Sequence, residues 1–581
     1  MTARLRISWI IALVVMVFML GGAVLAQDEA PAGVFYGGWP YSLPPDSHLN
    51  SFSAGGPQTN TGVYHDLIEM PSAIYLWSEA RYQPLLAESF GFEGESAYVI
   101  TLRSDAMWND GTPVTSDDLI ATYAIGRILG WSDYTYIDYL ERVDDHTVRF
   151  VLKNPSIVAE RLMLKTRVRA AATYADFAER ATALYDSGAT NESAEWQALL
   201  QEIRDFRPET LLASGPYHYT LEDMGDSYIT LTWQPNSHLS SVVQFGEIRL
   251  WNGETEAVTP LFLNGDIAYG TYGFPPATEA SFVDAGIRII RGPQYTGPAI
   301  YFNHSLAPWN IKEVRQAMAY VIDRAEAAFL GKGLSARPVT FMAGFSDNLV
   351  PVWLSEDQTA QLNPYEVNLE RAAELLQSVG FTQVDGVWQD ASGAPVAAEL
   401  TFPAEFADWV GGVQSAVDQL NAFGFQITAR AVPAAEQEQA TLRGEFQLTV
   451  RNWGIGSPFP NATFNQPLFR YNYNAGVEGE PGMNFPMQFD WNGEAVDLQA
   501  LIAASGAGLD TATQGEAVFA VSQVFNDMLP ILPLYETYTN NPLNESLVAG
   551  APAEDDPIWT NGGGDNFTII LLATGVLSPA G

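Results

Sequence analysis

The chain has 581 residues, more than one hydrophobic core organises, since single cores stop growing at roughly 250–300 residues. Its composition, 47% apolar and 17% charged with a mean hydropathy of −0.02, excludes wholesale disorder. A formal net charge of −40, from 68 acids against 28 bases, argues against nucleic acid as a partner, and the absence of cysteine excludes disulfides, thiolate metal sites, a cysteine nucleophile and a cysteine-linked lipid.

Residues 1–26 carry Arg4 and Arg6, an uncharged run centred on Trp9 to Leu20, and small residues ending in Val24-Leu25-Ala26. This pattern predicts a secretory signal peptide cleaved after Ala26. Because Ile7 to Leu25 could almost span a bilayer, an uncleaved anchor is the alternative. Both readings place the remaining chain outside the cytoplasm. Further along, Tyr98 to Leu102 alternates as a strand, and Trp108 to Pro113 is a turn leading to a helix capped at Thr115 or Ser116. A helix is predicted to open near Asn310, with Val314, Ala317, Met318, Val321, Ile322 and Ala325 on one face, and to stop at Gly331 and Gly333. Another follows Asn368, with Leu369, Ala372, Ala373, Leu376 and Val379 inward and Gly380 as its stop. Residues 397–453 alternate strand, helix, strand, short helix and strand, a βαβαβ unit. Thr568 to Leu577 is apolar but far too short to span a membrane. With no solenoid-length repeat, these elements predict an α/β protein with mixed sheets.

Catalytic signatures are missing from this pattern. There is no G-x-S-x-G elbow and no H-E-x-x-H, and the six histidines are scattered, so neither a serine hydrolase nor a zinc site has support. Gly454-Ile455-Gly456 lacks the third glycine of a dinucleotide fingerprint and reads as a loop. No cofactor is expected. Aromatic residues, 12% of the chain, cluster with Gly, Asn and Pro in predicted loops: residues 35–41, 453–461 and 471–474. Rings beside amide side chains suit a neutral, polar ligand, although the same rings could plug loops onto the core. The Trp453 loop follows a buried-looking strand, at the end where α/β sheets place ligands.

The order of segments resembles the family 5 extracytoplasmic solute-binding proteins of ABC importers. The resemblance rests on PLLAESF at 84–90, YVITLR at 98–103 and MWNDGTPVTSDDL at 107–119, and continues through SGPY at 214–217 and YFN at 301–303 followed by VRQAMAYVIDR. YEVNLERAAELLQSVGF, the Trp453 loop and PILPLY at 530–535 complete it in the correct order. Most of these blocks are structural, so they speak to the fold rather than to the ligand. The resemblance implies a two-lobed, periplasmic-binding-protein-like fold of the large class with an extra subdomain. One lobe would be 27–296 plus 534–581, with a subdomain inserted at about 76–205, and the other 300–528. Hinge crossings would lie at about 297–303 and 526–533. It further implies capture of an oligopeptide or oligosaccharide by lobe closure, permease subunits as partners, a monomer, and no covalent chemistry. An extracytoplasmic hydrolase or a chemoreceptor-type binding protein on the same scaffold is the alternative.

Two departures bear on the ligand and the anchor. In peptide-binding members the Trp loop carries an aspartate for the peptide amine; here that position falls on Gly456, and a later acidic motif reads Phe459-Pro460-Asn461. Either another acid substitutes or the ligand lacks a free amine, since an unpaired buried ammonium is costly. Where lipoprotein relatives have cysteine, this chain has Gln27. The residues expected to touch ligand are Trp39, Tyr41 and Asn50 in the first lobe and Trp453, Phe459, Asn461 and Tyr471 in the second.

Overall fold

The computed structural model of the protein describes residues 29–473 and 479–581. The signal segment, its cleavage point at Ala26, Gln27 and Asn474 lie outside the described residues.

Two large apolar cores divide the chain. The first surrounds a four-stranded sheet in the order Val34–Gly38, Glu247–Trp251, Tyr228–Trp233, Tyr217–His218, with the first pair parallel and the others antiparallel. Tyr228–Trp233 buries every second side chain, Ile229, Leu231 and Trp233, as a strand with one covered face must. That core closes with residues from the C-terminal end of the chain, including Phe567, Ile569 and Leu572 of the buried helix Phe567–Ala573. The apolar run at 568–577 therefore packs inside this core, and among the described residues no helix is long and apolar enough to cross a membrane.

The second core surrounds a five-stranded mixed sheet in the order Gln426–Val432, Ala397–Pro403, Leu448–Asn452, Pro298–Phe302, Ile531–Pro533. The βαβαβ reading of 397–453 is met by strands Ala397–Pro403, Gln426–Val432 and Leu448–Asn452, parallel to one another, with helices Ala407–Phe423 and Ala434–Leu442 between them. Asn368 caps helix Leu369–Ser378 by accepting from Arg371 N at 2.9 Å, as predicted, but Leu369 is exposed and Leu375 is buried instead. The helix expected from Asn310 is two helices, Lys312–Val321 and Arg324–Lys332. Ile322 is extended, and the Asp323 carboxylate accepts from Ala325 N and Glu326 N, restarting the chain as a new helix.

A smaller four-stranded antiparallel sheet, Ala87–Glu93, Ala97–Leu102, Thr147–Leu152 and Ile137–Arg142, has its own core between the two segments of the first sheet. Helix Ser116–Ile128 beside it starts with a capping box in which Thr115 and Asp118 satisfy each other's backbone. Helices Ala171–Asp186 and Ala194–Asp205 form a satellite cluster against it.

The chain passes between the two large cores twice, and the passages run side by side. Ile290 pairs with Asn541, Pro293 bridges Tyr538, Gln294 N donates to Thr537 O at 3.0 Å, and Ala299 pairs with Pro533. The result is one continuous antiparallel ribbon from one core to the other. Gly297 is required in it, because a Cβ there would collide with the Tyr535 carbonyl.

Candidate functional site

In each large sheet a pair of parallel strands ends at the same edge, where open α/β sheets bind ligands. In the first sheet Val34–Gly38 and Glu247–Trp251 lead into Trp39 and into Asn252 to Glu254; in the second, Ala397–Pro403 and Leu448–Asn452 lead into Glu405 to Trp409 and into Trp453. These two edges meet. Gly273, from the first core, approaches Asp408 of the second so closely that a Cβ would sit 2.7 Å from its Oδ2. Glu254 faces Glu405 across the same seam: burial first, and then the Glu405 charge, raise the Glu254 carboxyl above its usual range. Among the described residues, neither glutamate has a cation within ion-pair distance, whereas Asp408 is held by the buried Lys332 at 3.3 Å.

Beside Glu405 lies a cavity of about 230 Å³ whose walls include Phe406, Trp409, Arg451, Asn452, Arg470 and Tyr471. Arg451 donates from Nη1 to Gln437 Oε1 at 2.9 Å and from Nη2 to the Tyr471 hydroxyl at 2.6 Å, and pairs with Glu438. Arg470 donates to the same glutamate at 2.8 Å. Two guanidinium groups thus share one carboxylate, leaving the cavity wall positive, and Arg451 Nε is buried without a partner. On the first-core side, Trp251 Nε1 and the Tyr272 hydroxyl are likewise buried and unpartnered. A buried donor without an acceptor costs about 1–3 kcal/mol, so Arg451 Nε suits a ligand that brings an oxygen acceptor into the cavity, whereas Trp251 and Tyr272 sit in an apolar cluster on the first-core side with Val258, Phe262 and Phe274.

Farther along, the inserted unit reaches the second core. Gly508 N donates to Pro155 O at 3.0 Å, Ile157 N donates to Gly508 O at 3.2 Å, Ser156 Oγ donates to Gly506 O, and Val158 joins the second core. Nearby, Trp77 stacks on Tyr295 of the ribbon with centroids 4.1 Å apart, and Tyr75 lies 6.4 Å from Phe459.

The predicted ligand residues are spread over several places. Tyr471 lines the cavity, and Phe459 stands in the seam between Tyr75 and Trp353. Trp453 follows a parallel strand as expected, yet its indole is buried against the ribbon, with Nε1 3.3 Å from Tyr535 O. Asn461 donates to Ile502 O at 2.6 Å and is buried. Asn50 donates to Ile203 O at 2.6 Å and Phe206 O at 3.1 Å, fixing the helical satellite. Trp39 donates to Thr59 O at 2.9 Å and Tyr41 to Gly225 O at 2.6 Å, so both polar tips are engaged within the first core. Sequence reasoning passed over Trp251, Glu254, Tyr272, Glu405 and Arg451. The available signal for Trp251, Glu254, Glu405 and Arg451 was their place at or just after the ends of parallel strands; Tyr272, in the loop after helix Thr255–Asn264, carried no such signal.

The model of the bacterial extracellular solute-binding proteins, family 5, matches residues 81–475. The chain belongs to this family. A Brucella ovis protein with the provisional name ABC transporter peptide-binding protein is 23% identical over 373 residues, 63% of this binding protein and 64% of that one. The binding protein thus spans just under two thirds of the length of the curated relatives it matches. Among solved structures, a mannohexaose-bound periplasmic oligopeptide-binding protein of Thermotoga maritima superposes with a TM-score of 0.73 at 20% identity, covering 94% of this chain and 98% of that one. The oligopeptide-binding protein of Bacillus subtilis in complex with a nonapeptide gives 0.68 at 15% identity, covering 95% and 100%. At these identities the likeness shows the fold, a two-lobed mixed α/β architecture.

Proposed function

We propose that this binding protein is the extracytoplasmic substrate-binding subunit of an ABC importer, that it captures an oligopeptide in the seam between its lobes, and that it delivers the peptide to membrane permease subunits. On this reading it is a monomer that performs no covalent chemistry. The lobes correspond to the two large cores, 27–296 with 534–581 and 300–528, the insert at about 76–205 rides on the first, and the ribbon is the hinge. Closure needs a ligand that contacts both lobes, because only differential contact shifts an open–closed equilibrium.

The observation that carries the peptide reading is the pairing of opposite charges along one seam. Glu254 faces Glu405 without a cation, and the adjoining cavity is positive through Arg451 and Arg470. A free ammonium would relieve the first and a carboxylate would meet the open Nε of the second, as in a zwitterionic chain. Glu254 and Glu405 are then the acids that substitute for the missing loop aspartate. Phe406 and Trp409 offer apolar walls to side chains. The rings of Phe406, Trp409 and Tyr471 beside the amides of Asn452 and Gln466 in the cavity wall favour a second reading, an oligosaccharide, which presents hydroxyl groups and no charge.

Calorimetric titration with tri- to pentapeptides, their N-acetylated and C-amidated forms, and cello-, xylo- and manno-oligosaccharides separates the two. Peptides are expected to bind, and blocking either terminus to weaken binding about tenfold or more, the loss of one charge-assisted contact. Binding of sugars alone overturns the peptide assignment. Binding of neither class, or turnover of any of them, overturns the transport reading.

A further inference from the structure

Lys165, Arg167 and Arg169 are three of only 28 basic residues in a chain with 68 acids, and they fall within five positions at the end of helix Ile157–Lys165. Together with Trp131, Ser132 and Asp133 they line a depression of about 300 Å³ on the inserted unit, to which neither large core contributes a residue. Lys165 and Arg167 both bind the single carboxylate of Asp66, Arg167 through Nε at 2.6 Å.

Among the described residues, Arg169 has no carboxylate within ion-pair distance. Glu69, whose charge acts on it, has Oε1 taken by the Ser51 hydroxyl at 2.8 Å and Oε2 by His65 Nε2 at 2.8 Å. Arg169 Nη1 donates to Arg167 O at 2.8 Å, and its Nε is buried without a partner. Its guanidinium lies 4.9 Å from the Phe52 ring centroid and 5.4 Å from that of Trp131, which fixes the plane of the donor fork. The one acid in the wall, Asp133, is buried and accepts from the Tyr123 hydroxyl at 3.2 Å, and burial raises its carboxyl toward the neutral form. Three cations therefore face three carboxylates, but Asp66 is shared by Lys165 and Arg167, Glu69 is committed to Ser51 and His65, and Asp133 accepts from Tyr123, so the Arg169 fork keeps open donor capacity toward the depression.

We infer that this depression is an anion-binding site for a small molecule bearing an oxyanion, a phosphate, sulfate or carboxylate group. The forked donors of Arg167 and Arg169 and the ammonium of Lys165 would hold the oxyanion, as guanidinium geometry favours, and the face of Trp131 would meet the organic part. The site is independent of the peptide seam.

The test is calorimetric titration of the whole protein with inorganic phosphate, sulfate and citrate in low-salt buffer, with chloride as control, and tryptophan fluorescence followed in parallel on the unsubstituted protein and on Trp131→Phe. Saturable one-to-one binding is expected for at least one of them, weakened about tenfold or more in Arg167→Gln and in Arg169→Gln. Preference for phosphate or sulfate identifies an ester-type anion, and preference for citrate a carboxylate. If Arg169→Gln fails to fold, Arg167→Gln, which is partly exposed, carries the comparison. No saturable binding of any oxyanion, or binding unchanged by Arg167→Gln, overturns the assignment. Displacement of the anion by a seam-binding peptide would move it to the seam and overturn it equally.

Discussion

Trp453 shows how far a single residue can be read. Its place after a strand suggests a ligand wall, but its indole is buried against Tyr535, 82 positions away, and no local pattern encodes that contact. Trp453→Ala is therefore expected to lower unfolding free energy by about 3–5 kcal/mol, as deletion of a buried aromatic does, with peptide affinity changed far less than stability. Urea denaturation and calorimetry on the same variant check both halves. A second residue-scale prediction concerns Glu536, buried in the ribbon beside Asp347. It accepts from Asp347 N at 2.6 Å and from Asn348, and burial first, then the Asp347 charge, push its carboxyl up to about 7. A carboxyl whose folded pKa is raised binds protons more tightly in the native state. Its contribution to stability is present at low pH, declines as pH rises from the ordinary 4.5 through about 7, and is flat above that. Glu536→Gln should shrink this decline to the part from Asp347, whose own carboxyl burial pushes up to about 6, and chemical denaturation at acidic and alkaline pH measures the difference.

At the scale of elements the sequence was most legible where one element carries its own signals. The βαβαβ unit, the Asn368 cap and the Thr115 capping box follow from periodicity and capping chemistry alone. The predicted long helix from Asn310 failed at Asp323, although Asp323-Arg324-Ala325-Glu326 has the form of a new N-terminus, because an uninterrupted apolar stripe outweighed a cap in the middle of it. The seam was not legible, since Glu254 and Glu405, or Gly273 and Asp408, come together only through tertiary contact. The bridge between 155–157 and 506–508 belongs to this class. Gly508 there has φ of +96°, a region L side chains rarely adopt, and both its backbone groups bond across the seam. Gly508→Val should cost roughly 1–3 kcal/mol of local strain and loosen the closed arrangement. The expected outcome is weaker peptide binding with a faster off-rate by stopped-flow fluorescence, and an unchanged on-rate. An unchanged off-rate would show that this bridge does not hold the lobes together.

For the whole molecule the dominant fact is the charge of −40 carried by two lobes that must approach each other. Mutual repulsion between acidic bodies opposes closure, and Glu254 against Glu405 concentrates that opposition at the seam itself. Salt screens this repulsion, but it also screens the attraction of a peptide ammonium to the same two glutamates. The two effects have opposite signs and separate experimentally. For an N-acetylated, C-amidated peptide, which offers neither terminal charge, only the lobe repulsion responds, so its affinity should rise as sodium chloride increases. For the same peptide with a free amine the lost attraction dominates, and affinity should fall by a few-fold over the range from about one-tenth to twice physiological ionic strength, where the Debye length contracts from roughly 25 Å to 6 Å. Glu405→Gln should bring the two salt slopes together, because it removes both the repelling partner and half of the ammonium site. Parallel slopes for the blocked and free peptides in the unsubstituted protein would mean that the ammonium does not sit between the glutamates, and that the seam closes on its ligand through the arginine cavity alone.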